Sequence, residues 1–248
     1  MNKKTLFPIL LASAVLFAAC NKREQEPIEM LSISGTVGGH DYVDLGLPSG
    51  TLWATCNVGA SSPEESGDYF AWGETTPKSD YSWLTYEFGN WYQLTKYCND
   101  SSFGKDGFAD DKTVLDAEDD AATVNWGSDW RMPTIEEIAE LCTECTDQWI
   151  VYNGVPGRKF TAPNGNSVFL PAAGYFDKAD LDKDHNGSGL DWVGTNGNYW
   201  SATPDGDNPS YACYVIFYSD RENYVNHVKY NRKGDRYCGQ SVRPVVKR

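Results

Sequence analysis

The order of periodic segments along the chain restricts its fold most. Helical signals fall in two neighbouring stretches between Asp116 and Cys145, and strand-like alternation lies on both sides. In "LDAEDDAATVNW", Asp116 is placed to cap a short helix, with Glu118 and Asp119 in its first turn. In "RMPTIEEIAELCTEC", Thr134 and Glu137 have capping-box spacing, and Ile135, Ile138, Ala139 and Cys142 recur on one face. Upstream, Val43 and Leu45 alternate, a Pro-Ser-Gly turn follows, Leu52 to Val58 reads as strand, and "GDYFAWGE" is a short aromatic strand. Downstream, "WIVYNGVPGRKFTAPNGNSVFLPAAG" holds two strands around a Gly/Asn turn. Then come "NYWSATP", "YACYVIFY", "ENYVNHVKY" and "QSVRPVVK". Strands, two helices, then many strands is an α+β order, with helices beside a mostly antiparallel sheet. Residues 75–111 lack a period, and so long an irregular run needs aromatic anchors, for which Trp83, Trp91 and Tyr92 are the candidates. No repeat of solenoid length is present.

The 248 residues suit one large domain or two small ones, and 14% aromatic content with nine tryptophans supplies a hydrophobic core. The net charge of −14, with no basic run, argues against nucleic acid as a partner. The first twenty residues read as a secretory signal. Lys3 and Lys4 precede an apolar stretch, Leu6 to Ala19, that is too short to span a bilayer comfortably. Small residues stand directly before Cys20 in "FAAC", which resembles the bacterial lipoprotein signal, with Phe17 a less usual choice at its position. Lipidation of Cys20 is therefore expected; the competing reading is plain secretion. Removal of residues 1–20 leaves 19 basic against 35 acidic residues, a net −16, so membrane attachment would rest on the lipid alone. Residues 21–39 read as a flexible tether and residues 40–248 as the folded domain.

Six cysteines remain: Cys56, Cys98, Cys142, Cys145, Cys213 and Cys238. An even number outside the cytoplasm permits disulfides without dictating a pairing. Cys142 and Cys145 form a CxxC, but no second CxxC and no nearby histidine complete a zinc set. The expected role is a helix face with two small apolar residues.

Several separated motifs occur in one order: "YVDLGLPSGTLWATCNVGA", "GDYFAWGET", "EDDAATVNWGSDWRMPT", "LPAAGY", "NYWSAT" and "GQSVRPV". Together they resemble the Fibrobacter succinogenes major paralogous domain, found in surface lipoproteins of Bacteroides-type bacteria, over roughly residues 40–248. The resemblance implies a C-type-lectin-like fold akin to the formylglycine-generating-enzyme sulfatase domains. In that fold two helices flank a small twisted, mostly antiparallel sheet, and long loops lie on one face. It also implies an outer-membrane, lipid-anchored, surface-exposed location. In the motifs, Trp130 is expected in the core, as is one aromatic of the Tyr199–Trp200 pair. Arg243 inside the closing strand is expected to be held by the acids Asp116, Glu118, Asp119 and Asp120.

No nucleophile–base pair, paired reactive cysteines or phosphate-cradling glycine loop is visible, so no catalytic activity is expected. No cofactor is expected either, with calcium as the one candidate. Asp180, Asp182, Asp184 and Asn186 alternate as hard oxygen ligands. However, His185 stands where the EF-hand pattern needs glycine and Asp191 where it needs glutamate, so a solvated acidic turn is the preferred reading.

Six of the fifteen tyrosines lie between Tyr211 and Tyr237. Tyrosine offers large contact area at low entropic cost, and Asn and Asp offer adaptable hydrogen bonds. Alternation assigns Cys213, Val215 and Phe217 to an inward face and Tyr214, Ile216 and Tyr218 to an outward one. The expected binding surface comprises Tyr214, Tyr218, Asn223, Tyr224, Asn226, His227, Tyr230, Asn231 and Tyr237, with a protein or glycan as ligand. The alternative is a structural subunit of an envelope or surface assembly. The tail also resembles variable regions diversified by retroelements, but Glu222, Lys229 and Lys233 are not reachable from the adenine-substituted codons. An outward strand face favouring tyrosine and asparagine is the simpler reading.

Overall fold

The structure is a computed structural model that describes residues 31–177, 189–220 and 227–246. Cys20, most of the tether, Asp180, Asp182, Asp184, Asn186, Asn223, Tyr224 and Asn226 lie outside the described residues. The architecture is α+β. Strands β1 (Gly35–Val37), β2 (His40–Asp44) and β3 (Leu52–Ala54) form an antiparallel sheet that the last strand, β14 (Val245–Val246), completes beside β3. Residues 35–37, read from the sequence as tether, are thus part of the sheet: Gly35 pairs with Tyr42 and Val37 with His40.

The sheet that organises the domain has the order β12 (Val228–Asp235), β11 (Tyr211–Tyr218), β10 (Asn196–Pro204), β13 (Gln240–Ser241), β4 (Tyr69–Phe70). All its pairs are antiparallel except β10 with β13. A three-stranded meander, β5 (Thr146–Tyr152), β6 (Val155–Thr161) and β7 (Ser167–Pro171), lies beside it. Two tight turns, at Asn153-Gly154 and Asn164-Gly165, divide this stretch into three strands where the sequence pattern suggested two; Asn153 adopts the left-handed φ of 46° such a turn requires. A short ribbon, β8 (Tyr175–Phe176) with β9 (Leu190–Asp191), completes the strands.

β10 is buried on both faces. Tyr199 joins Trp53, Val215, Phe217 and Val245 in one cluster, while Trp200 joins Phe70, Trp72 and Val242 in another. Both aromatics of "YWSAT" are therefore core, each with its polar atom satisfied: Tyr199 Oη donates to Pro171 O at 2.7 Å and Trp200 Nε1 to Phe70 O at 2.9 Å. Trp130 is fully buried as expected, and its indole N–H donates to Val37 O at 3.1 Å.

Helix α2 (Ile135–Glu144) begins with the expected capping box. Glu137 N donates to Thr134 Oγ1 at 3.4 Å, and Thr134 N to Glu137 Oε2 at 2.9 Å. Ile135, Ile138 and Leu141 carry its buried face, while Ala139 and Cys142 flank it half-buried. Helix α1 (Ala121–Trp126) is capped by Asp120, which accepts from Thr123 N at 2.9 Å and also from Met132 N. Asp116 instead precedes a single 3₁₀ turn and makes no side-chain cap. The α-helix therefore starts four residues later than the acid pattern suggested.

Two further expectations are corrected. The irregular stretch is pinned by Tyr81, Tyr86, Phe88, Leu94 and Tyr97, all buried, and by Trp83 packing edge-on to Tyr86 and Tyr237. Trp91 and Tyr92 instead pack on each other at the surface, 54% and 49% exposed. Arg243 meets none of the proposed acids. Its guanidinium donates to Ala54 O, Thr55 O and Phe169 O at 2.9–3.0 Å and to Asn57 Oδ1 at 2.8 Å. Three carbonyls from two distant segments thus converge on one buried cation, whose pKa burial pulls down from its ordinary value. The acids serve other partners: Asp116 and Asp119 pair with Lys96, and Asp116 also with Lys112. All six cysteines are free. Burial pushes the Cys142 thiol well above its ordinary range and Cys145 to about 11, which fits apolar packing rather than redox chemistry.

Candidate ligand-binding site

β11 keeps strict alternation. Cys213, Val215 and Phe217 pack into the core, and Tyr214, Ile216 and Tyr218 turn the other way to line a cavity of about 400 Å³. Antiparallel register extends this face sideways. Asn198 sits opposite Ile216 and Asn196 opposite Tyr218, so both asparagines of β10 join the lining. Gln240 of β13 continues it beyond β10, and Gly234 and Asp235 close it on the β12 side. A Cβ at Gly234 would come within 3.1 Å of the Tyr214 ring, tighter than an ordinary contact. Tyr175 and Asp177, at and after β8, form a wall, and Trp192 stands at the mouth.

Two properties separate this lining from ordinary core. Asn198 and Gln240 are each only 2% exposed, yet Asn198 Oδ1 and Gln240 Oε1 have no hydrogen-bond partner among the described residues. Buried amides without partners carry a desolvation cost of about 1–3 kcal/mol each and are uncommon in packed interiors. Second, Trp192 holds a left-handed φ of 62°, rare for a bulky side chain, while remaining 52% exposed. Its carbonyl is fixed by Thr195 N at 3.1 Å and Asn196 N at 2.9 Å, so the turn that strains the backbone also holds the indole at the rim.

The electrostatics are acidic. Burial, reinforced by the neighbouring Asp177 charge, raises Asp235 to about 6, with the Trp83 side chain opposing the shift. Tyr237 Oη donates to Asp177 Oδ1 at 2.9 Å. Burial also holds the Cys238 thiol far above its usual range, with Asp177 and Asp235 adding to the effect, so it is not a nucleophile at neutral pH. No Lys, Arg or His is among the described residues lining the cavity. Among the described residues, two cations on β12 contact tyrosines of the lining: Lys229 Nζ lies 5.3 Å from the Tyr218 ring centre, and Arg232 faces Tyr214.

The expected binding residues separate into groups. Tyr214 and Tyr218 line the cavity. Tyr237 is 3% exposed and belongs to the core; it touches the site only through Asp177, so its place on an exposed surface is corrected. Tyr230 and Asn231 occupy a β-bulge, where pairing slips between Tyr214–Arg232 and Ile216–Lys229 and Asn231 takes a φ of 57°. The bulge throws both outward, away from the cavity, with Tyr230 43% exposed. His227 is half-buried near Asp220, its Nδ1 3.9 Å from Oδ1. Tyr175, Asp177, Trp192, Asn196, Asn198, Asp235 and Gln240 were not anticipated. The available signal was the set of polar residues at in-strand positions, Asn196, Asn198 and Gln240, where neighbours two residues away are core. No three His, Cys, Asp or Glu side chains among the described residues converge as a metal set.

Residues 154–245 match a family described as a domain of unknown function (DUF8237). That interval contains every residue lining the cavity. No curated protein and no solved structure matches the chain.

Proposed function

We propose that this chain is a lipid-anchored surface protein whose domain binds a glycan in the cavity over β10 and β11, without turning it over. The observation that carries the reading is the pair of buried, unpartnered amides on Asn198 and Gln240 in a cavity walled by Tyr175, Tyr214 and Trp192. Sugars present hydroxyls to such amides and flat apolar faces to such rings, and the cavity volume is within the range of small-ligand sites. A glycan array probed with the full chain in mild detergent tests it. Binding lost on Trp192→Ala or Tyr214→Ala supports the reading; a protein ligand bound through other residues contradicts it.

The C-type-lectin-like arrangement is part of the proposal. It is supported by two helices beside a small, mostly antiparallel sheet and by the long irregular stretch 75–111. Anchoring rests on "FAAC"; among the described residues no helix is long and apolar enough to cross a membrane. Cys20→Ala should release the protein from outer membranes, and retention without an acyl chain by mass spectrometry would contradict lipidation.

Absence of turnover is also testable, because two neighbouring carboxylates, here Asp177 and Asp235, are what a glycosidase requires. Hydrolysis of nitrophenyl glycosides that disappears in Asp235→Asn would overturn a binding-only role. A second reading, a subunit of a surface assembly, is favoured by the exposed Leu84, Trp91 and Tyr92. It predicts a stoichiometric partner in pull-downs that Trp91→Ser with Tyr92→Ser abolishes.

A further inference from the structure

The sheet itself makes the two unpartnered amides neighbours. Tyr199 of β10 and Ser241 of β13 are register partners in a parallel pairing. Asn198 and Gln240 each precede that pair by one residue. Their side chains therefore leave the opposite face of two adjacent strands, about 4.8 Å apart at the backbone. Both residues line the cavity, and Asn198 Oδ1 and Gln240 Oε1 accept no hydrogen bond among the described residues. One sugar ring can span that separation with two hydroxyls along one of its edges. A carboxamide accepts through its oxygen and donates through its nitrogen, while a hydroxyl does both, so the match holds for either orientation of the amides.

The charge of the lining restricts what else the ring can carry. Asp235 bounds the cavity on the β12 side, accepts from the Trp83 side chain, and is raised to about 6 chiefly by burial. A carboxylate compensated by a cation would shift the other way, so at pH 7 Asp235 is an ion in a partly dry setting. Lys229 and Arg232 contact Tyr218 and Tyr214, but neither lines the cavity. A carboxylate on the ligand would meet the Asp235 charge where water screens it poorly.

We infer that the cavity is a subsite for one uncharged sugar ring, which gives one hydroxyl to Asn198 and a second on the same edge to Gln240, while Asp235 bars rings that carry a carboxylate. This deepens the glycan-binding reading above and rests on it.

The test is titration of the full chain in mild detergent at pH 7 with the methyl glycosides of glucose, galactose and mannose, followed by tryptophan indole NMR shifts. The tightest binder is then compared with each of its four monodeoxy forms and with its uronic acid. Two of the four deletions, and no more, are expected to weaken binding about tenfold or more, because each leaves a buried amide unpaired. Asn198→Leu should make one of those two deletions silent and Gln240→Met the other, a pattern that misfolding does not imitate. The uronic acid is expected to bind at least about tenfold more weakly than its parent, and Asp235→Asn should close most of that gap. A series in which other than two deletions are costly, or whose losses neither variant silences, overturns the two-amide assignment and leaves the glycan reading standing. A uronic acid as tight as its parent overturns the role of Asp235. No shift with any of the glycosides overturns the cavity as a sugar site, and the inference with it.

Discussion

One face of the central sheet does two different things at its two ends. At one end Trp200 of β10 and Val242, just past β13, pack into a dry cluster with Phe70 and Trp72. Two residues away along the chain, on the same face, stand Asn198 and Gln240, equally buried but without partners, beneath a cavity. The backbone geometry is the same, and the same neighbouring strand supplies Tyr214, which packs against Trp200 and also borders the cavity, and then Ile216 and Tyr218, which line the cavity. Nothing about packing a sheet demands amides there; an apolar pair would avoid their desolvation cost. The difference separates an end packed as architecture from an end whose buried amide oxygens have no partner among the described residues, which is the observation behind the proposed binding site.

The largest effects are expected at the architectural end. Trp200→Ala removes a fully buried indole and its bond to Phe70 O and should cost about 3–5 kcal/mol in urea unfolding. Arg243→Met strands three carbonyls and Asn57 in the interior. A loss of about 3 kcal/mol or more is expected by the same assay, since each buried acceptor left unsatisfied costs about 1–3 kcal/mol. If either variant unfolds near the wild-type midpoint, the dry end is not what holds the sheet. Thr134→Ala should cost only about 1 kcal/mol through loss of the α2 cap, and should leave ligand binding untouched.

How far the sequence reveals this depends on how local the cause is. The capping box at Thr134 and Glu137, the alternation of β11 and the burial of Trp130 follow from neighbours a few residues apart, and all are present. The partners of Arg243 are not legible, because Ala54, Thr55 and Phe169 lie far away in sequence and offer only backbone carbonyls, which every residue has. Tyr237 looked like its exposed tyrosine neighbours but is buried against Trp83 by the turn after β12. The bulge at Asn231, invisible to a period-two reading, divides Tyr230 from Tyr214 and Tyr218. The cavity's acids come from two elements, β12 and the segment after β8, that only tertiary structure brings together.

A smaller and more diagnostic effect concerns pH. The folded-state pKa of Asp235, about 6, lies above the ordinary aspartate value of about 3.9. Between those values the folded state binds more protons than the unfolded one, so this group's contribution to stability falls as pH rises. Its penalty is fully present above pH about 6 and is relieved on acidification toward pH about 4. The wild type minus Asp235→Asn difference in melting temperature should therefore be negative at pH 7 and shrink by pH 4. A difference independent of pH would mean that Asp235 is not charged in a buried setting.

The central claim is that the hollow end of the sheet face is a binding site rather than imperfect packing, and Gln240→Met tests it most directly. Its unfolding free energy and its affinity for a glycan identified on the array should be measured on the same preparation. The account predicts stability equal to or above wild type, because an unpartnered amide is replaced by an apolar chain of similar size, together with weakened binding. A loss of stability approaching that of Trp200→Ala, with binding unchanged, would contradict it.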